Sequence, residues 1–174
     1  MPRIPYILLE EADQEPLATL RSQITGLRGR VLNLHRALAN CPPALQAFMT
    51  TSEHVRDQST LPPLLRELAI VTVAHCLDDG YELHQHEPIA RTLGVTEAQL
   101  SDLENWQHSL AYSERERAVI AFAWQATVAR RVDQPTIETI IRLLPPDQVV
   151  ELALTVGWYH LCHVIIDSLG VEIE

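Results

Sequence analysis

The segment Arg66 to His86, RELAIVTVAHCLDDGYELHQH, gathers Glu67, His75, Cys76, Asp78, Asp79, Tyr81, Glu82, His84 and His86 around an otherwise apolar run. Carboxylates beside imidazoles trade protons near neutral pH, so general acid–base work is the first chemistry such a cluster could do. Helical spacing sorts the cluster. Glu67, Val71 and His75 recur every four residues and share one face, Glu82 and His86 do the same, and His84 points elsewhere. A carboxylate set among apolar side chains holds its proton more tightly unless a positive group compensates, and a nearby imidazole then becomes its exchange partner. The same spacing equally describes a partly exposed Glu67 favoured by the dipole of a helix start, and an ordinary surface pair of Glu82 with His86. Spacing alone leaves both readings open.

Elements must hold these side chains in place. The chain has 174 residues, 47% of them hydrophobic, which suits one core-forming domain spanning 1–174. Glycine is scarce, 6 residues against 11 prolines, and between the prolines apolar positions recur at helical spacing with no strand-like alternation. After an irregular N-terminal extension, residues 1–28, helices are expected over roughly 29–39, 44–56, 64–77, 81–93, 96–106, 113–131, 133–144 and 146–170. Pro62 and Pro63 suit the first turn of the third, where a missing N–H costs little. Pro88 lies inside the fourth, where it would kink the helix unless a break falls nearby. Thr96 with Gln99 and Ser113 with Glu116 have capping-box spacing. The fold class is therefore all-α, with seven or eight helices.

Charge and cysteine usage narrow the function classes. With 23 Asp and Glu against 13 basic residues, the formal charge is -10, and no basic block exists that could hold a nucleic-acid backbone. Cys41, Cys76 and Cys162 are odd in number, irregularly spaced and free of any CxxC pair, unlike a secreted disulfide framework. The amino terminus lacks the layout of a signal peptide, and no apolar run approaches the roughly eighteen residues of a membrane helix, so a cytoplasmic protein is expected.

The runs LPPLLRELAI, VAHCLDDGYELHQHEPIAR and ELALTVGWYHLCHVIIDSLGVEIE make the chain, from about Val31 to Val171, similar to the carboxymuconolactone decarboxylase family, which includes the alkylhydroperoxidase D (AhpD) proteins. The resemblance implies an all-α, AhpD-like domain, no cofactor, no metal, and assembly as a homo-oligomer, whether trimer, hexamer or dimer. The AhpD site reads Glu-x11-Cys-x-Tyr-Cys-x3-His, with the cysteines as redox centres and Glu and His as proton relays. Counted from Glu67, those positions are Asp79, Tyr81, Glu82 and His86: Glu, Tyr and His are kept and both cysteines are replaced by acids. A carboxylate cannot pass through the sulfenic acid and disulfide states that reduce a peroxide. What remains resembles the Tyr-Glu-x-x-x-His form of the decarboxylase-type members. That likeness implies a cofactor-free, lyase-like enzyme acting on a small organic acid or lactone through Glu67, Tyr81, Glu82 and His86. Glu82 and His86 would exchange the proton, Glu67 would orient His86, and Tyr81 would hold substrate. Arg56, Arg66 and Arg91 are the cations near enough in sequence to attract an anionic substrate.

Asp79, Tyr159 and His160 complete the expected pocket lining. His160 and His163, three apart on the last helix, could join Glu82 and His86 as four metal ligands, a rival metal-dependent reading. His75 reads as a core histidine satisfied by a carbonyl or by Glu67. Cys76 and Cys162 read as small buried hydrophobes, and Trp106, Trp124 and Trp158 as core or interface anchors. A non-catalytic binding or interaction scaffold, and residual peroxidase activity, are the other rivals.

Overall fold

Nine α-helices and no strand build the computed structural model, which describes every residue from Met1 to Glu174. They are α1 (Leu17–Arg28), α2 (Asn33–Leu38), α3 (Pro42–Glu53), α4 (Pro63–Cys76), α5 (Gly80–Thr92), α6 (Glu97–Ser101), α7 (Glu114–Trp124), α8 (Gln134–Leu143) and α9 (Pro146–Leu169). The all-α expectation holds. The chain divides into two compact units, residues 1–58 with 164–174, and residues 59–163.

Within the first unit, α3 packs against α1 and α2, and the Arg3 guanidinium donates to the carbonyls of Asp167 and Ser168, both at 2.9 Å. Residues 1–28 are not irregular throughout, as the sequence suggested. A short 3-10 turn, Leu9–Glu11, precedes α1, which buries Leu20 and Ile24. Gly29 closes α1 with a φ of 73°. The helix expected from Gly29 therefore shrinks to α2, because a left-handed residue ends one helix and cannot start the next.

The second unit holds the residues of the cluster. The α4 helix starts with Pro63 in its first turn and is buried nearly all round, from Leu65 through Ala74 with few gaps, and it packs on α5 and α7. Leu68 and Val71 of α4 meet Ala90, Val95, Leu103, Tyr112 and Ile120 in one core cluster. Each large apolar side chain so buried contributes roughly 1.5–3 kcal/mol. The link from α4 to α5 is short. Asp78 takes a left-handed φ of 53°, which aspartate tolerates better than most residues, and Asp79 caps α5 by accepting the Glu82 backbone N–H at 3.0 Å. The α5 helix runs through Pro88 to Thr92.

Both capping boxes form, Thr96 with Gln99 and Ser113 with Glu116. The helix expected over 96–106 breaks after Ser101 into a 3-10 turn, Leu103–Asn105, and the one expected over 113–131 gives way after Trp124 to a wider π-type turn, Gln125–Ala129. The breaks shorten two helices without adding any, and α1 alone raises the helix number to nine. One expectation about membranes changes as well. The α9 helix is 24 residues long with a mean hydropathy of 1.6 over its most apolar stretch, so by length and composition it could cross a membrane. Its charged residues, Asp147, Glu151 and Asp167, sit toward its two ends and leave the middle apolar.

Candidate active site

Glu67 lies on α4 one residue after Arg66, and His86 lies on α5 just before Glu87 and Pro88; the packing of these two helices brings them together. Glu67 Oε2 and His86 Nδ1 are 2.7 Å apart, and each residue is 2% exposed. An ionised carboxylate only accepts, so Nδ1 donates, and the neutral ring then keeps its lone pair on Nε2. Two groups meet that nitrogen. The Tyr159 hydroxyl of α9 lies 3.0 Å from Nε2, and Glu82 Oε2, one turn back on α5, lies 3.5 Å away. The Tyr159 ring also meets the imidazole edge to face, with centroids 5.0 Å apart.

A second carboxylate–imidazole pair lies alongside. Asp79 Oδ2 is 2.8 Å from His163 Nδ1 of α9, while Asp79 Oδ1 caps α5. Asp79, Glu82 and Tyr81 are each 5% exposed. Tyr81 precedes His86 by five residues, which turns it roughly 140° round α5 from the ring. Arg66 brings a positive charge: its Nε is 3.6 Å from Glu67 Oε1, too far for a hydrogen bond, and is a buried donor with no such partner. Glu67 thus lies between Arg66 and His86, Glu82 meets His86 and Asp79 meets His163, and the continuous chain Glu67–His86–Tyr159, with Glu82 beside Nε2, can move a proton along its length.

The structure also separates residues that the sequence grouped. His75 does not meet Glu67, because eight residues span about 12 Å of helix; its Nε2 lies 3.8 Å from Glu104 Oε1 and its ring 6.3 Å from Trp124. His160 turns away to Thr127. Thr127 Oγ1 donates to the Ala123 carbonyl at 2.7 Å, so His160 Nε2 must donate to that oxygen at 2.8 Å. Burial, then the nearby His163, lowers the His160 pKa. With His160 on Thr127 and His163 on Asp79, the four proposed metal ligands do not converge, and no group of three His, Cys, Asp or Glu is placed to hold a metal ion. Arg91, offered as a substrate cation, is engaged at the surface by Glu87 and Glu97. His163 is the contributor that the sequence undervalued; its signal was the i, i+3 spacing with His160, read as a ligand pair. Burial pushes the Cys76 thiol up to about 12, and Cys162 is 2% exposed.

The carboxymuconolactone decarboxylase family model matches residues 42–125. No curated protein matches the chain. Among solved structures, an uncharacterized peroxidase-related protein with an alkylhydroperoxidase AhpD core from Ralstonia eutropha JMP134 superposes with a TM-score of 0.82 at 17% identity, over 99% of this chain and 92% of that one. A second peroxidase-related protein, from Silicibacter sp. TM1040, gives 0.80 at 21%, over 99% and 94%. A cysteine-to-alanine variant of the debrominase Bmp8, in complex with 2,3,4-tribromopyrrole, gives 0.80 at 17%, over 99% and 90%. These likenesses are of fold. The family match runs from the start of α3 to just past α7 and across Glu67, Asp79, Glu82 and His86, so this stretch of the chain is similar to the carboxymuconolactone decarboxylase family and the whole has an AhpD-like fold, with acids where the AhpD site has its two cysteines.

Proposed function

We propose that the protein is a cofactor-free acid–base enzyme of the lyase or isomerase type, acting on a small organic acid or lactone without thiol chemistry. The observation that carries this reading is the buried chain from Glu67 Oε2 through His86 to Tyr159 and Glu82, with links of 2.7, 3.0 and 3.5 Å. Glu67 orients the ring and stabilises its protonated form, as a buried carboxylate does behind a general base. Glu82 and His86 Nε2 exchange the substrate proton. In a decarboxylation the bond to the departing carboxylate breaks, its electron pair passes into the adjoining carbonyl as an enolate, and the carbon then takes the proton from Glu82 or His86. Tyr159 positions the ring and presents its hydroxyl at Nε2. The tribromopyrrole bound by the like-folded debrominase supports a small ring compound as the kind of molecule this fold admits.

Proton NMR in deuterated buffer, run on a panel of β-keto acids and small lactones, tests the assignment. Loss of a carbon-bound proton signal with the wild type, slowed about 100-fold or more in Glu82→Gln and His86→Ala, is the expected result. Undiminished exchange in both variants would remove the assignment. The near-complete burial of Glu67, Glu82 and His86 favours one second reading, a binding scaffold whose polar centre is structural. That reading predicts ligand retention with no exchange in any variant. Self-association into a homo-oligomer belongs to the proposal and is measured by light scattering.

A further inference from the structure

An open pocket of about 250 Å³ lies along α7, the wide turn after it and α9, lined among others by Phe122, Arg130, Arg131, Val132, Val156 and Gly157. It opens to solvent along its arginine side and has room for a small ring compound. Its chemistry is divided. Phe122 and Val156 are buried apolar walls, whereas Arg130 and Arg131 bring two cations to one rim.

Those arginines are adjacent in sequence and both lack a side-chain partner. All 13 cationic side chains are arginines, set against 23 acids, and Arg28, Arg36, Arg91 and Arg142 each hold a carboxylate. Arg130 and Arg131 hold none and make no hydrogen bond through their side chains. Arg130 moreover sits at a left-handed φ of 54°, where a side chain costs about 1–2 kcal/mol that glycine would not. Also lining the pocket, Gly157 interrupts a 24-residue helix, a position where glycine is destabilising by roughly 0.5–1 kcal/mol relative to alanine. A Cβ built there meets nothing within 4 Å, so the glycine keeps space open instead of relieving a clash. Two unfavourable backbone choices at one cavity, one holding a free guanidinium and the other preserving volume, have a common explanation in a ligand.

We propose that this cavity binds a small carboxylate with an aromatic or branched apolar body, its carboxylate on Arg130 and Arg131 and its body against Phe122, Val132 and Val156. Planar guanidinium groups pair with carboxylates in a fixed fork, and the apolar walls select an organic anion over an inorganic one. The site is separate from the Glu67–His86 chain and stands independently of the activity proposed above. The His160 ring, held by Thr127, forms one side of it.

Titration of the full chain with benzoate, followed by amide NMR shifts, tests the proposal, with benzamide and inorganic phosphate as the uncharged and inorganic controls. Saturable benzoate shifts at residues 122–132 and 153–160, with at least about tenfold weaker binding of either control, are expected. Arg130→Gly with Arg131→Gln removes both charges while suiting the left-handed backbone, and should weaken benzoate by about tenfold or more. Gly157→Leu fills the cavity, leaves both arginines in place and should abolish binding while the remaining amide spectrum stays that of the wild type. Benzoate shifts that do not saturate, or that persist unchanged in both variants, would overturn the proposal, as would phosphate binding equal to benzoate.

Discussion

His35 and His86 are both nearly inaccessible, yet their partners differ. His86 faces carboxylates. His35, in the first turn of α2, accepts the Leu32 backbone N–H on Nδ1 at 3.1 Å, an arrangement only the unprotonated nitrogen can make. Burial first, then Arg28, lowers its pKa to about 4 from 6.5. Above pH 6.5 the ring is neutral folded and unfolded, so it adds no pH dependence. As pH falls from 6.5 toward 4 the unfolded chain takes up the proton and the native state does not, so stability is lost with acid, by about 3 kcal/mol in full. His160, whose pKa is also lowered, contributes with the same sign. Denaturant titrations at pH 7, 6, 5 and 4.5 should therefore show a falling unfolding free energy, and His35→Gln should flatten that fall by the His35 share. An unchanged acid limb in the variant would show that the ring is not buried neutral.

At the scale of elements, α5 depends on one side chain with two tasks. Asp79 caps the helix through Oδ1 and holds His163 of α9 through Oδ2. Asp79→Asn keeps an acceptor for the Glu82 N–H and places an amide against His163, which can exchange donor for acceptor by changing tautomer. Asp79→Ala removes the cap, worth about 1 kcal/mol, and leaves the His163 nitrogen to water or to nothing, for a combined loss of about 2–3 kcal/mol. Urea midpoints should thus fall in the order wild type, Asn, Ala; equal midpoints for Asn and Ala would mean that capping contributes nothing. Local signals of this kind were the legible part of the sequence. Pro63 at the start of α4, the two capping boxes, Gly170 after α9 and the i, i+4 pairing of Glu82 with His86 all depend on residues a turn or two apart, and all appear. The α1 helix is faint in the sequence because it buries only Leu20 and Ile24 and has Gly26 inside it, leaving little periodicity. The partners of His160 and His163 were illegible for another reason. Thr127 and Asp79 lie 33 and 84 residues away, distances that only the packing of α9 closes.

At the scale of the whole molecule, the acid excess becomes a statement about stability. A formal charge of -10 repels itself most in the compact state, and the Debye length falls from roughly 20 Å at 20 mM salt to about 6 Å at 300 mM. Salt also screens the favourable pairs, so the sign depends on which are more numerous and better shielded. The pairs of Arg91 with Glu97 and Arg142 with Glu114 are exposed, and pairs of that kind are worth at most about 1 kcal/mol each. The links between Glu67 and His86 and between Asp79 and His163 have acids only 2–5% exposed and are screened far less. Repulsion among the surplus surface acids is therefore the term that salt removes most completely. Scanning fluorimetry between 20 and 300 mM sodium chloride should show the melting temperature rising by a few degrees, most of it below 150 mM, with no comparable rise when an equal osmolality of a neutral solute is used. A falling melting temperature would instead mean that the exposed arginine pairs outweigh the repulsion, and that the surface charges are arranged for attraction in spite of their net sign.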